Sequence, residues 1–392
     1  MNISLPLHYL PVKRTQWYVD IPMLLPVLAL ISIGLIMIAS ASFSFAEYRY
    51  NNEFYFVTRH IAYMVVAAGA MGVGYFVSPT VWAQYGRLWM LLSIVLLILV
   101  LVPGIGREVN GARRWLNLGG FSLQVSELVK VATVVFLAAH LQKHRDTLAH
   151  NWREFAKLIG VITVLSVLLI LEPDFGSVVV LGVTFMAMLF LGGTNLRQYV
   201  LVLLVAAALL YWVAEAAPYR VARLATFLDP WSVRFESGYQ LTQSLIAFGR
   251  GEWFGVGLGQ SVQKMMYLPE AHTDFVFAIY AEEFGFMGVV VLLGLYVQMV
   301  LRILQLGKIA IAKQYWYGLF ILLGFGLLIS CQTFINLGVN AGLLPTKGLT
   351  LPFVSYGGSS LVVCCAMVGM MLRISHELHT VTTKVRRLRY ER

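Results

Sequence analysis

Asp274 stands in the run Pro269-Glu270-Ala271-His272-Thr273-Asp274-Phe275, at the mouth of a long apolar stretch. A carboxylate beside a low-dielectric medium tends toward a raised pKa, and such a group can take a proton from a hydroxyl. Thr273 or Asp274 would also suit a helix N-cap, accepting from free backbone N–H groups; the two roles are compatible. Glu127 and Lys130 lie three residues apart in another apolar stretch, so they share a helix face. They read either as an ion pair fixing helix packing or as the wall of a polar cavity. Glu282 and Glu283 follow Asp274 roughly 12 Å further along a helix rising about 1.5 Å per residue. Internal pairing is the expectation for both, because an unpaired charge at that depth is costly.

Basic and irregular segments supply further candidates. Asn110-Gly111-Ala112-Arg113-Arg114-Trp115 holds two adjacent arginines whose planar forks could clamp a diphosphate, with Trp115 suited to an interfacial aromatic belt. Glu172 and Asp174 flank Pro173 and read as helix-end caps or a cation site. Between Asn340 and Ser360, Pro345, Gly348 and Pro352 exclude a regular helix. Irregular backbone at membrane depth is tolerated where it lines a cavity, which would put Lys347 near one.

The elements that must position these residues follow from composition. Of 392 residues, 59% are hydrophobic and 12% are charged. A soluble domain carries about 25% charged residues, so this composition excludes a soluble enzyme, a disordered chain and a nucleic-acid binder. A spanning helix needs about 20 apolar residues. The sequence predicts an all-α integral membrane protein with ten transmembrane helices, at about 21–42, 54–77, 84–103, 123–140, 156–171, 177–193, 198–215, 274–301, 316–339 and 357–373. Residues 60–77, rich in Gly and Ala, suit a close helix interface. Cys331, Cys364 and Cys365 lie in apolar stretches, with neither metal-site spacing nor a disulfide framework.

Charge sets the orientation. Placing both termini in the cytoplasm puts most of the 29 Lys and Arg inside. Residues 1–20 form a cytoplasmic segment, 21–373 the membrane domain, and 374–392 a basic cytoplasmic tail able to touch anionic lipid. One large periplasmic loop, 216–273, contains an expected short amphipathic helix at Leu241, Leu245, Ile246 and Phe248. Its G-x-G-x-G run lacks the βαβ context of a nucleotide loop. Arg113 and Arg114 fall in a short external loop, where the positive-inside rule disfavours them, so an anionic ligand is the reading.

Five motifs in order resemble the SEDS family (shape, elongation, division and sporulation). They are Asn110–Trp115, Ser126-Glu127-Leu128-Val129-Lys130, Glu172-Pro173-Asp174-Phe175-Gly176, Leu268–Phe275 and Asn340–Ser360. Thr346-Lys347-Gly348-Leu349-Thr350 is similar to the division-specific branch; Val125 departs from it, where a Pro often stands. The resemblance implies a peptidoglycan glycosyltransferase of the bacterial inner membrane, acting at the division septum with its active site facing the periplasm. It would polymerise lipid II by inverting transfer, with undecaprenyl diphosphate leaving. The family's essential aspartate falls on Asp274 and its acid–base pair on Glu127 and Lys130. Substrate-binding candidates are Arg113, Arg114, Trp115, Glu127, Lys130, Arg220, Arg223, His272, Lys347 and Ser355. No residue is assigned as a metal ligand, although a divalent cation, Mg or Mn, would help stabilise the leaving diphosphate. Implied partners are a class B penicillin-binding transpeptidase and divisome activators. The competing readings are a lipid II flippase and a non-catalytic scaffold for the transpeptidase.

Overall fold

The computed structural model describes residues 18–109, 111–119, 121–215, 227, 229–345 and 348–390. Arg220, Arg223 and Lys347 lie outside them. The chain is an all-α integral membrane protein. Its helices are α1 (Ile21–Tyr50), α2 (Tyr55–Phe76), α3 (Pro79–Gln84), α4 (Gly86–Leu101), α5 (Val125–His144), α6 (Trp152–Leu171), α7 (Phe175–Leu191), α8 (Leu196–Glu215), α9 (Tyr239–Gly251), α10 (Val276–Ala312), α11 (Trp316–Asn340) and α12 (Gly358–Tyr390). Seven of the described helices are long and apolar enough to cross a membrane; α4, α7 and the Leu196–Leu209 part of α8 are shorter apolar helices.

The termini of these helices follow local chemistry. Asp20 caps α1, accepting from the Met23 N–H at 3.2 Å. The same buried carboxylate pairs with Arg302 of α10 at 2.8 Å and accepts from Ser375 of α12 at 2.6 Å, tying three helices at one end. Asp174 caps α7, accepting from the Ser177 N–H and hydroxyl at 3.2 and 2.7 Å. The Gly- and Ala-rich face of α2 packs tightly on α12, backbone against backbone around Gly74 and Gly369.

Three expectations need correction. The segment preceding α5 is a three-stranded antiparallel sheet, β1 (Gly106–Val109), β2 (Ala112–Leu118) and β3 (Phe121–Gln124), where only an interfacial loop was expected. Its turns contain Gly111 and Gly119 at φ 74° and 58°, the left-handed backbone that tight hairpins require. The last span does not end as a helix at residue 373, since α12 runs on to Tyr390. Finally, the eighth span extends to Ala312 and is broken at Gly285, with φ 65° and ψ −166°.

That break is satisfied from outside the helix. Val256 and Gly257 donate backbone N–H groups to the carbonyls of Glu282 and Glu283, both at 3.0 Å. In return, Phe286 and Met287 donate to the carbonyls of Glu252 and Trp253, at 2.9 and 3.1 Å. A Cβ at Gly285 would lie 2.3 Å from the Gly255 nitrogen, so the two backbones can cross only at glycine. The two acids are internally paired, as expected. Glu282 meets Arg250 at 3.1 Å and Ser261 at 2.5 Å; Glu283 meets Lys264 at 2.9 Å and Ser40 at 2.7 Å.

Candidate active site

Asp274 lies two residues before the helical run of α10, and the capping expectation fails there. Phe275 takes the N-cap position with no side-chain cap, and Thr273 turns back to Glu270, donating to its carboxylate at 2.7 Å. Among the described residues, the Asp274 carboxylate accepts no hydrogen bond. Its main-chain carbonyl is held instead, by the side-chain amides of Asn336 at 3.0 Å and Asn340 at 2.9 Å. Burial pushes the Asp274 carboxyl up to about 7; the nearby Glu270 adds to the rise and Arg114 opposes it. A carboxyl near 7 is poised to accept a proton at neutral pH. The chain past α11 covers it closely, since a Cβ built on Gly348 would lie 3.1 Å from Asp274 Oδ2.

Asn336 and Asn340 belong to a polar ladder on α11. Gln332, Asn336 and Asn340 recur at intervals of four, so all three point the same way from a largely buried helix. Gln332 accepts from Lys130 at 2.7 Å and donates to the Thr350 carbonyl at 3.0 Å. Asn336 also donates to the Leu349 carbonyl at 2.6 Å, and Asn340 Oδ1 accepts from the Ala278 N–H at 3.2 Å. Lys130 completes the chain with a buried 2.8 Å ion pair to Glu127. The pair therefore joins the Asp274 region through α11, about 6 Å along that helix from Gln332 to Asn336, rather than by direct contact.

The two arginines part company. Arg113 pairs with Glu108 on the exposed side of the sheet at 3.1 Å. Arg114 occupies a bulge where the β1–β2 register shifts, and donates to the carbonyls of Glu172 and Pro173 at 3.0 and 2.5 Å. It thereby fixes the α6–α7 turn beside Asp274. Glu172 is fully buried, and its carboxylate oxygens have no hydrogen-bond partner among the described residues. Burial, then Asp174, push its carboxyl up to about 8 against the pull of Arg114. Trp115 pairs across the sheet with Arg107 and Gln124. His272 packs in an aromatic cluster, 4.5 Å from the Phe56 ring and 5.7 Å from the Tyr356 ring. Burial lowers its pKa, with Glu270 partly offsetting. Ser355 accepts from the Leu351 N–H at 2.8 Å and shapes the turn before α12.

The sequence profile of the cell cycle protein family typified by FtsW, RodA and SpoVE matches residues 22–380. The chain belongs to this family. A relative from Saccharophagus degradans, named "Probable peptidoglycan glycosyltransferase FtsW", is 45% identical over 381 residues, covering 97% of both chains. One of the same name from Pseudomonas fluorescens is 48% identical, covering 92% of this chain and 89% of its own. A chain from a solved peptidoglycan synthase complex superposes with a TM-score of 0.75 at 29% identity, over 92% of this chain and 98% of that one. The Thermus thermophilus rod shape determining protein RodA gives 0.68 at 28% identity, over 92% and 98%. With these relatives and its apolar helices, the FtsW/RodA/SpoVE-type chain is a multi-pass protein of the inner membrane.

Within this family fold, reading the residues one by one missed Gln332 and Asn336, whose spacing of four was visible. Asn-Gly and Gly-Gly at 110–111 and 119–120 are hairpin signals that were also passed over. The expected divalent cation finds no three-ligand cluster beside Asp274 among the described residues. The cluster that does occur, His140, His144 and Glu154, lies at the opposite end of α5.

Proposed function

We propose that the chain polymerises lipid II into glycan strands at the division septum, by inverting transfer with Asp274 as general base. The acceptor sugar hydroxyl attacks the donor anomeric carbon, its proton passes to Asp274, and the bond to undecaprenyl diphosphate breaks. Inversion in one displacement needs no covalent sugar–enzyme intermediate. The observation that carries this reading is the Asp274 carboxylate itself. It accepts no hydrogen bond among the described residues, its carboxyl is raised to about 7, and its seat is fixed through the main chain. The names of the relatives support the transferase class.

The short helices α4, α7 and α8 complete ten spans in this reading, with both termini cytoplasmic and Asp274 facing the periplasm. Arg114, with Lys347, Arg220 and Arg223 from outside the described residues, supplies positive charge for the departing diphosphate. A class B penicillin-binding transpeptidase is the partner, supported by the similar chain found in a synthase complex. Divisome proteins activate the pair.

The test is polymerisation by purified protein in detergent with lipid II and its transpeptidase partner. Glycan should form with the wild-type chain and not with Asp274→Asn. A flippase has no two compartments to act between in detergent, and a scaffold makes no glycan; product absent from wild type would sink the reading.

A further inference from the structure

The end of α5 remote from Asp274 carries His140 and His144, one helical turn apart, with rings stacked at 4.5 Å. Glu154, in the first turn of α6, reaches them from the neighbouring helix. Its Oε2 lies 3.5 Å from His140 Nε2 and 3.9 Å from His144 Nε2. One ligand atom from each residue falls within 4.8 Å of the others. Glu154 Oε1 is occupied separately, by Lys157 Nζ at 2.7 Å. The His140 side chain is only 10% exposed, and its buried Nε2 makes no hydrogen bond among the described residues. Beside it opens a cavity of about 280 Å³, lined by Arg87, Phe136, His140, Glu154 and Lys157 among others.

We propose that His140, His144 and Glu154 form a binding site for a zinc-type transition-metal ion, joining α5 to α6. Two imidazoles at a spacing of four plus a carboxylate are a zinc donor set, whereas magnesium and calcium favour all-oxygen sites. Bonds of about 2.0–2.2 Å in a tetrahedron put ligand atoms about 3.3 Å apart. The observed separations need only small side-chain rotations to reach that. His140 Nε2, which makes no hydrogen bond among the described residues and has only the 3.5 Å approach of Glu154 Oε2, is the atom a metal would engage. Lys157 on the second carboxylate oxygen leaves Oε2 pointed at the histidines, the kind of outer contact that orients a ligand. The fourth coordination position faces the cavity, where Arg87 and Lys157 favour an anionic ligand. Seventeen residues of α5 separate Glu127 from His144, about 26 Å of helix, so this ion takes no part in glycosyl transfer.

The experiment uses full-length protein freed of its purification tag, stripped with a chelator and titrated with Zn²⁺ alone. Wild type should bind one equivalent, and Co²⁺ should give the ligand-field spectrum of a tetrahedral nitrogen–oxygen site. Zinc should also raise the melting temperature of wild type. His144→Ala and the near-isosteric Glu154→Gln should each weaken binding more than about tenfold and lose that rise. His150→Ala, an exposed histidine outside the cluster, should behave as wild type. Equal zinc binding by wild type and a His140→Ala/His144→Ala double variant would overturn the proposal. So would inorganic phosphate binding in the cavity while zinc binds nowhere near it, which would assign the space to an anion held by Arg87 and Lys157.

Discussion

The side-chain amide of Asn340 donates to the main-chain carbonyl of Asp274 at 2.9 Å, while its own carbonyl accepts from the Ala278 N–H at 3.2 Å. One neutral side chain on α11 therefore bridges the segment leading into α10 and the first turn of α10. The catalytic candidate is positioned by its backbone, which leaves the carboxylate available for chemistry.

Asp274→Asn should lower lipid II polymerisation by about 10²-fold or more, the scale of a lost general base. Its melting temperature should stay near that of wild type, because the contacts from Asn336 and Asn340 go to the carbonyl and are unchanged. Turnover and thermal unfolding measured on one preparation check both halves.

Asn340→Ala should damage catalysis through position. It strips a partner from the Ala278 N–H and one from the Asp274 carbonyl, and a buried group left unsatisfied costs about 1–3 kcal/mol. We expect kcat to fall more than KM rises. Turnover unchanged in a folded Asn340→Ala protein would show that the bridge is dispensable.

Glu127 and Lys130 should behave as a unit. Removing either partner of a buried pair leaves an uncompensated charge costing about 3–5 kcal/mol. Glu127→Ala and Lys130→Ala should each melt earlier than wild type, and a neutral double replacement should regain much of that loss. Lys130→Ala also frees Gln332 Oε1, so its activity should fall further than stability alone explains.

Arg114→Lys should impair turnover more than Arg113→Lys, although both keep the charge. Arg114 spans two carbonyls of the α6–α7 turn with its planar fork, and a lysine cannot copy that geometry. Arg113 makes an exposed pair, worth about 0–1 kcal/mol. Lipid II turnover against substrate concentration ranks the two; equal effects would return the diphosphate role to both.

Activity and stability should respond to pH in opposite directions. The Asp274 and Glu172 carboxyls titrate near 7 and 8, above the ordinary carboxylate value of about 4. The folded state thus holds protons that the unfolded state has released. That contribution to stability is fully present below about pH 4 and is lost as pH rises through 7 to 8. Catalysis, which needs ionised Asp274, should instead climb through about 7. Glu172→Gln should remove the Glu172 share of the alkaline loss of melting temperature, keep the share from Asp274, and leave the rise in activity in place.

Much of this was legible in the sequence, for identifiable reasons. The apolar periods locate the helices, because water and lipid sort side chains before any tertiary contact forms. The pairing of Glu282 and Glu283 followed from the penalty for a bare buried charge. What stayed hidden depends on neighbours distant in sequence. Nothing around Arg114 says that its partners are carbonyls 58 and 59 residues away. His140 and His144 show their spacing, but Glu154 joins them only once α6 folds back on α5. Asn336 is neutral and sits in an apolar helix, so charge does not single it out; its spacing of four from Gln332 and Asn340 was the signal it carried.

The crossing at Gly285 has a mechanical side. Four backbone hydrogen bonds rivet the Glu252–Gly257 strip to the broken helix, two on each side of the break. Trp253 and Phe254 on that strip are 65% and 80% exposed, a handle facing outward. A force applied to the handle loads the short helical stub that follows Asp274 and the long shaft beyond Gly285 together. With bonds on both sides of the break, Gly285 is a braced joint rather than a free pivot between the stub that follows Asp274 and the shaft beyond.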